Sequence, residues 1–257
     1  MAQSARQLDP DLMDHASSIR LLVGHRLIGA PEIRMDVPPP TDVAEAEALA
    51  RDARARLGVD GPLPALADVC ERFGLYLLAV DRDADGASMV LDGVDGIGAA
   101  VIGSQADPGC RRSRAVRQLG RRLFGAAHSA DAFVKAFLLP APALRQEWPA
   151  DPDQRRQTLV RVAGTYRVSW PLVVQRAGDL GLIDAAEQQS LAAAVPVRGD
   201  FLAQLGTVPV EDLAVGTTGA AWKRAVLAAY GSSLITGERA LELLYGALTG
   251  PKDLPSR

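Results

Sequence analysis

The sequence predicts an α+β fold in which helices surround one short antiparallel β-sheet and a helical region follows. Three observations lead to this class. Hydrophobic residues make up 48% of the 257-residue chain and aromatic residues only 5%, a composition that favours helices over a β-sandwich. Two amphipathic helical patterns precede three short extended segments. Beyond the segment "EWPADPD", residues 147–153, the patterns are those of helices and loops alone.

The chain is predicted to have three successive parts. Residues 1–40 resemble an extension with one short helix, closed by the stiff segment "VPPP" at residues 37–40. Residues 41–148 carry the predicted core. Residues 149–257 form a predicted helical C-terminal region, which follows a boundary at "EWPADPD".

The first core helix has clear start and stop signals. Asp42 and Glu45 have the spacing of a capping box, and Gly58 follows the last apolar position. A second helix is predicted within "LPALADVCERFG", which also ends on a glycine. The apolar stripe of the first helix comprises Val43, Ala46, Ala50, Ala53 and Leu57.

Three segments follow with the alternation and length of strands: 75–80, 87–92 and 98–103. The turn-like sequences "DRDADG" and "GVDG" separate them, and the first is predicted to be a solvated hairpin turn. The next helical patterns are "SRAVRQLGRRLFG", residues 113–125, and "SADAFVKAFLLPAPAL", which the prolines after residue 139 are expected to stop.

Charge and cysteine content exclude several classes. The net charge of −3 argues against a surface uniformly suited to nucleic acid, and two cysteines are too few for a disulfide framework. Cys70 lies in an apolar helical pattern and is predicted to be buried. No apolar run has the length of a membrane span, and the acidic N-terminal stretch does not resemble a secretory signal. A cytoplasmic protein without a membrane partner is therefore expected.

The helix at 113–125 carries an unusual polar pair. Arg117 and Arg121 are four residues apart, so both side chains project from one helix face. Zinc hydrolases place two histidines at this spacing, with a glutamate beside the first. Here the three positions hold Arg117, Gln118 and Arg121.

Two segments resemble the ImmA/IrrE family of zinc metallopeptidases, which cleave or antagonise repressors. "RSRAVRQLGR", residues 112–121, is similar to the family phrase R-F-T-L-A-H-E-L-G-H. "AHSADAFVKAFLLP", residues 127–140, is similar to the helix E-x-E-A-x-x-F-A-x-x-L-L-M-P. The resemblance covers roughly residues 42–250 and implies a small zincin-like core.

The resemblance also implies where the zinc chemistry is missing. The two histidine ligands correspond to Arg117 and Arg121, and the general base corresponds to Gln118. The third ligand corresponds to Ala127 or Ser129. Arginine keeps its proton and offers no lone pair to a metal, and a glutamine amide takes no proton near neutrality. The sequence therefore predicts a degenerate site with no metal, no cofactor and no catalytic residue.

Two uses remain open for the basic helix. Its arginines either bind an anion or an acidic partner, or they form a solvated basic face. Nucleic-acid binding is disfavoured because no aromatic residues are interleaved for stacking. The candidate contact residues are Arg112, Arg114, Arg117, Arg121 and His128.

Residues 159–183 resemble a helix-turn-helix, with Ser169 before the second helix. Gln175 and Arg176 are its candidate DNA or partner contacts. The second helix nevertheless begins Trp-Pro-Leu-Val, whereas DNA readers expose polar side chains at this point, so a structural or protein-contact role is favoured.

These observations predict a catalytically inactive ImmA/IrrE-like regulatory or scaffolding protein. Its expected partner is another protein, such as a repressor-type transcription factor. One alternative is a DNA-binding regulator that uses residues 159–183. The other is a hydrolase whose site has no recognisable motif.

Overall fold

The mixed α+β class is confirmed by the computed structural model, which describes residues 9–83, 85–94 and 96–256. These residues form twelve α-helices and three β-strands, with short 3-10 turns at Pro152–Gln154 and Pro251–Asp253. The elements in chain order are α1 (Pro10–Gly24), α2 (Val43–Leu57), α3 (Leu66–Arg72), β1 (Leu75–Val80), β2 (Ala87–Val90), β3 (Gly98–Gly103), α4 (Pro108–Phe124), α5 (Ala130–Leu138), α6 (Ala141–Glu147), α7 (Arg155–Tyr166), α8 (Trp170–Asp179), α9 (Ala185–Ala193), α10 (Arg198–Leu205), α11 (Ala220–Gly231) and α12 (Gly237–Leu243).

The chain divides into two units, each built from separate stretches. Among the described residues, the first unit contains 9–34, 67–105 and 213–256, and the second contains 35–66 and 106–212. This division differs from the sequential one expected, because residues near both ends of the chain fold together in the first unit.

The strands form a mixed sheet, not the antiparallel one expected. The strand order is β1-β3-β2, with β1 parallel to β3 and β2 antiparallel to it. The register pairs Leu75 with Gly98 and Ala87 with Val101. The predicted hairpin turn at "DRDADG" is therefore wrong, because β1 and β2 are not neighbours; Ala84 within it lies outside the described residues. Almost all of β1 is buried, as is usual for a continuous apolar strand.

Helix α1 belongs to the core of the first unit instead of to an extension. Asp9 caps its N-terminus by accepting hydrogen bonds from the Asp11 and Leu12 amides. Its buried face contains Leu12, Ala16, Ile19 and Leu22, which share one apolar cluster with β1, β3, α11 and α12. The predicted short helix is confirmed, and residues 1–8 of the predicted extension lie outside the described residues.

Helix α2 confirms the predicted start and stop signals in the second unit. The Asp42 carboxylate accepts the Glu45 amide at 2.8 Å, and Gly58 adopts a left-handed conformation with φ 67°. The Glu45 carboxylate accepts the Thr41 amide at 2.8 Å, one residue before the position a capping box requires. Val43, expected in the buried stripe, is exposed.

The prolines near residue 140 start a helix as well as end one. Helix α5 ends at Leu138, as predicted, but α6 begins three residues later with Pro142 in its first turn. Proline is compatible with that position because the first amides of a helix have no partner within it. In the described part of the chain no helix has the length and apolarity required to cross a bilayer.

Candidate functional site

Helices α4 and α5 of the second unit carry the predicted site. Helix α4 starts earlier than expected, because the Asp107 carboxylate accepts the Gly109 amide at 2.9 Å and Pro108 fits the first turn. Its buried face includes Val116, Leu119 and Leu123. This packing leaves the opposite helix face, with its two arginines, toward a surface cleft.

That cleft has a volume of about 410 Å³. We call it the arginine cleft; its lining comprises Arg117, Arg121, Gly125, Ala126, Ala127, His128, Ala130 and Asp131. The Arg117 guanidinium pairs with the Asp131 carboxylate at 2.6 Å, and the Asp131 side chain is 73% exposed. The Arg121 guanidinium donates to Gln118 Oε1 at 3.3 Å. Because Gln118 is neutral, this bond does not compensate the charge of Arg121, and among the described residues Arg121 forms no ion pair.

The structure brings most of the predicted degenerate positions together. Arg117, Arg121 and Ala127 line the arginine cleft, and Gln118 lies buried directly behind Arg121. Ser129 differs, because its hydroxyl donates to the Pro40 carbonyl at 2.7 Å and so holds the segment before α2. His128 is exposed at the cleft.

The residues of the arginine cleft do not fit a zinc ion. Arg117 is engaged as a cation with Asp131, and a guanidinium cannot donate a lone pair. One histidine and one carboxylate fall short of the three protein ligands that a zinc site needs. Across the described ranges of the chain, no three His, Cys, Asp or Glu side chains come close enough to hold a metal ion.

Arg112, predicted as an anion or partner contact, is buried instead. Its side chain is 1% exposed and forms an ion pair with Asp212, and it also donates to the Pro64 carbonyl at 3.3 Å. The Leu66 amide donates to the same Asp212 carboxylate at 3.1 Å. Arg112 therefore joins segments of the second unit and is unavailable to a partner. Arg114 is half-buried and lies outside the lining of the arginine cleft.

Two helices joined by a short turn, α7 and α8, occupy the segment predicted as a helix-turn-helix, and the candidate polar residues of α8 are largely buried. Ser169 is buried at the N-cap of α8 and its side chain caps no amide. Arg176 is 2% exposed; it pairs with Glu47 and donates to the Leu139 carbonyl at 3.2 Å. Arg176 as a DNA contact is therefore wrong, because the guanidinium is used within the unit. Only Gln175 of the three candidates is exposed.

A second polar group, in the first unit, was not predicted. Asp68 and Glu71 on α3 accept the first amides of α11: Ala220 at 2.7 Å, and Ala221 and Trp222 at 2.8 Å each. Burial raises the pKa of Glu71 to about 7, against the lowering effect of these amides. The one sequence signal is the N-cap of α11, Gly219, which has no side chain to cap the helix itself.

Comparison with known proteins finds no matching family model, curated protein or solved structure.

Proposed function

We propose that the protein is a catalytically inactive, ImmA/IrrE-like regulatory or scaffolding protein that binds an acidic segment of a partner protein in the arginine cleft. A repressor-type transcription factor is the partner class that the family resemblance implies. The observation that carries the proposal is the presence of Arg117 and Arg121 side by side in a surface cleft. The family resemblance implies that these two positions correspond to the zinc-binding histidines.

The charge of the cleft supports an acidic ligand. Arg117 and Arg121 contribute two permanent cations and Asp131 contributes one carboxylate. The Arg117–Asp131 pair is exposed, so a carboxylate of the partner can replace Asp131 at little cost in free energy. Arg121 offers a planar guanidinium suited to two-point contact with a carboxylate.

The shape of the cleft supports a peptide segment. Gly125, Ala126 and Ala127 provide one wall with little side-chain bulk, so a main chain can approach closely. His128 stands exposed at the same cleft, where its ring can donate a hydrogen bond to a ligand. A helix-turn-helix role in DNA binding has less support, since Ser169 and Arg176 are buried.

Binding of a labelled glutamate-rich peptide to the purified protein tests the ligand class. The double variant Arg117→Gln/Arg121→Gln is expected to weaken binding by about tenfold, since two ion pairs at a solvent-exposed cleft together contribute about 1–2 kcal/mol. Binding should also weaken with added salt. The matched control is Arg51→Gln/Arg145→Gln, which removes two exposed cations of the same unit that are not part of the cleft lining. An equal loss in the control double variant, or no loss in the cleft variant, contradicts the proposal.

A second experiment separates a regulatory role from peptidase activity. A repressor-type regulator that crosslinks to the wild-type protein in its own cells, but not to the cleft double variant, is incubated with the purified protein and added zinc. The regulator is expected to remain intact. Cleavage that a chelator prevents would overturn the assignment as a pseudoenzyme.

A further inference from the structure

A larger cavity, separate from the arginine cleft, lies within the first unit. Its volume is about 680 Å³, and its walls come from the segment after α1, from α3, from β1 and from α11. Eight of its fourteen lining residues are aliphatic or small. The polar residues of the lining are Glu32, Asp68, Glu71, Arg72, Tyr76 and Arg224.

One end of the cavity is negative and rigid. The carboxylates of Asp68 and Glu71 are held in place by the amides of Ala220, Ala221 and Trp222, at 2.7–2.8 Å. A carboxylate oxygen that accepts one amide retains a second lone pair. The two groups can therefore accept hydrogen bonds from a ligand cation without giving up the helix cap.

A cation lies one helical turn away. Arg224 is four residues after Ala220, so it projects from the same face of α11, about 6 Å along the helix. Arg224 makes no hydrogen bond or ion pair with the residues that the structure describes, and its charge lowers the pKa of Glu71. Arg72, by contrast, is tied to Glu32 by contacts of 2.7 and 2.9 Å.

The hydroxyl of Tyr76 offers a further polar contact to a ligand. Tyr76 is 6% exposed and lines the cavity, and its hydroxyl has no hydrogen-bond partner in the described ranges. The hydroxyl oxygen keeps some solvent access, so it faces open space. A polar ligand in the cavity can therefore exchange a hydrogen bond with it.

We propose that this cavity binds a small zwitterion with an ammonium and a carboxylate a few bonds apart, as in a free α-amino acid. The ammonium donates to Asp68 and Glu71, and the carboxylate accepts from Arg224. The Tyr76 hydroxyl donates to the ligand between these two ends. A simple anion would face the two carboxylates, and a simple cation would leave Arg224 without a partner.

Glu71 makes the binding sensitive to pH. Its pKa of about 7 reflects burial first, with the Asp68 carboxylate raising it and the α11 amides and Arg224 lowering it. Tyr76 stays neutral, since burial raises its pKa to about 12, and Glu32 and Arg72 neutralise each other. A bound ammonium favours ionised Glu71, so binding near pH 6 releases a proton and affinity rises toward pH 8.

Calorimetric titration of the full chain with the standard free amino acids tests the proposal. For an amino acid that binds, the N-acetyl form lacks the ammonium and the amide form lacks the carboxylate. Each blocked form is expected to bind at least about tenfold more weakly. Equal binding by either blocked form, or no binding by any free amino acid at millimolar concentration, overturns the proposal.

Variants of the lining distinguish recognition from a structural effect. Arg224→Gln should abolish the preference for the free carboxylate over the amide, and Tyr76→Phe should weaken binding by about tenfold with no loss of stability. Lys223→Gln, a neighbouring cation on α11 outside the lining, is the matched control and should bind normally. The assignment is contradicted if Arg224→Gln still prefers the free carboxylate over the amide. It is also contradicted if Lys223→Gln weakens ligand binding as much as the lining variants do. None of these residues belongs to the arginine cleft, so this test and that of the proposed function fail independently.

Discussion

The imidazole ring of His15 lies 4.7 Å from the ring of Trp222, centroid to centroid, in the core of the first unit. The Tyr245 ring packs against the same imidazole at 6.1 Å. Burial lowers the pKa of His15 to about 4, although a hydrogen bond to the Tyr76 backbone raises it. The imidazole of His15 is therefore neutral in the folded protein near pH 7.

This burial predicts a specific loss of stability in acid. The unfolded chain binds the His15 proton near pH 6.5 and the folded chain only near pH 4, so protonation favours unfolding as the pH falls between these values. The full difference is about 3 kcal/mol. In urea unfolding monitored by tryptophan fluorescence, the free energy of unfolding of His15→Leu should not show this decrease between pH 7.5 and 4.5. His25→Gln, which changes an exposed histidine, should retain it; an unchanged pH dependence in His15→Leu would contradict the prediction.

Glu71 should produce the opposite pH dependence. The pKa of Glu71 is about 7 in the folded protein against an ordinary value of 4.5, so the stabilisation present below pH 4.5 is lost as the pH rises from 4.5 through 7. This loss amounts to about 3 kcal/mol. Glu71→Gln keeps an acceptor for the α11 amides but does not titrate. Relative to wild type, the variant should therefore gain stability between pH 5 and pH 8 in urea unfolding. Asp92→Asn, which changes an exposed carboxylate of the same unit, serves as the control, and a parallel change in both variants would sink the explanation.

The parts of the fold that the sequence predicts correctly are those set by interactions between residues close in the chain. Helix α2 was found because Asp42, Glu45 and Gly58 act within one or two helical turns. Strands β1 and β3 were found at their observed bounds because each is a short apolar run. Their parallel pairing was missed, since nothing local to either strand specifies its neighbour.

In the candidate site, too, relationships between neighbouring residues were predicted and those between distant residues were missed. The proximity of Arg117 to Arg121 was predicted from helical periodicity, and the cleft confirms it. The burial of Arg112 and Arg176 was missed because their partners are distant in sequence: Asp212 lies 100 residues away and Glu47 lies 129 residues away. Without knowledge of such a distant carboxylate, an arginine side chain is expected to be exposed.

The Arg112–Asp212 pair should be among the most sensitive sites of the second unit. Asp212→Leu leaves a guanidinium buried without this counterion, which is expected to reduce the free energy of unfolding by about 3–5 kcal/mol. The double variant Arg112→Leu/Asp212→Leu should recover much of that loss, because it leaves no unpaired charge. Urea unfolding in a double-mutant cycle measures both effects.

The exposed pair of Arg161 and Glu147, at 2.8 Å, is the control for that cycle. Solvent screens both groups, so its removal should change the free energy of unfolding by less than about 1 kcal/mol. Similar coupling energies for the two pairs would show that the burial of Arg112 has no special energetic consequence.

Two helical glycines should respond in opposite directions to the same added methyl group. A Cβ on Gly109 would overlap the Ser169 backbone nitrogen and lie 2.6 Å from the Val168 carbonyl carbon, whereas a Cβ on Gly199 meets nothing within 4 Å. Gly109→Ala should therefore destabilise the protein by about 1–3 kcal/mol, because the turn before α8 must move. Gly199→Ala should stabilise it by about 0.5–1 kcal/mol, because alanine loses less backbone entropy in a helix. Thermal and urea unfolding of the two variants decide the matter: a stabilised Gly109→Ala would mean that α4 and the α7–α8 turn do not pack this closely.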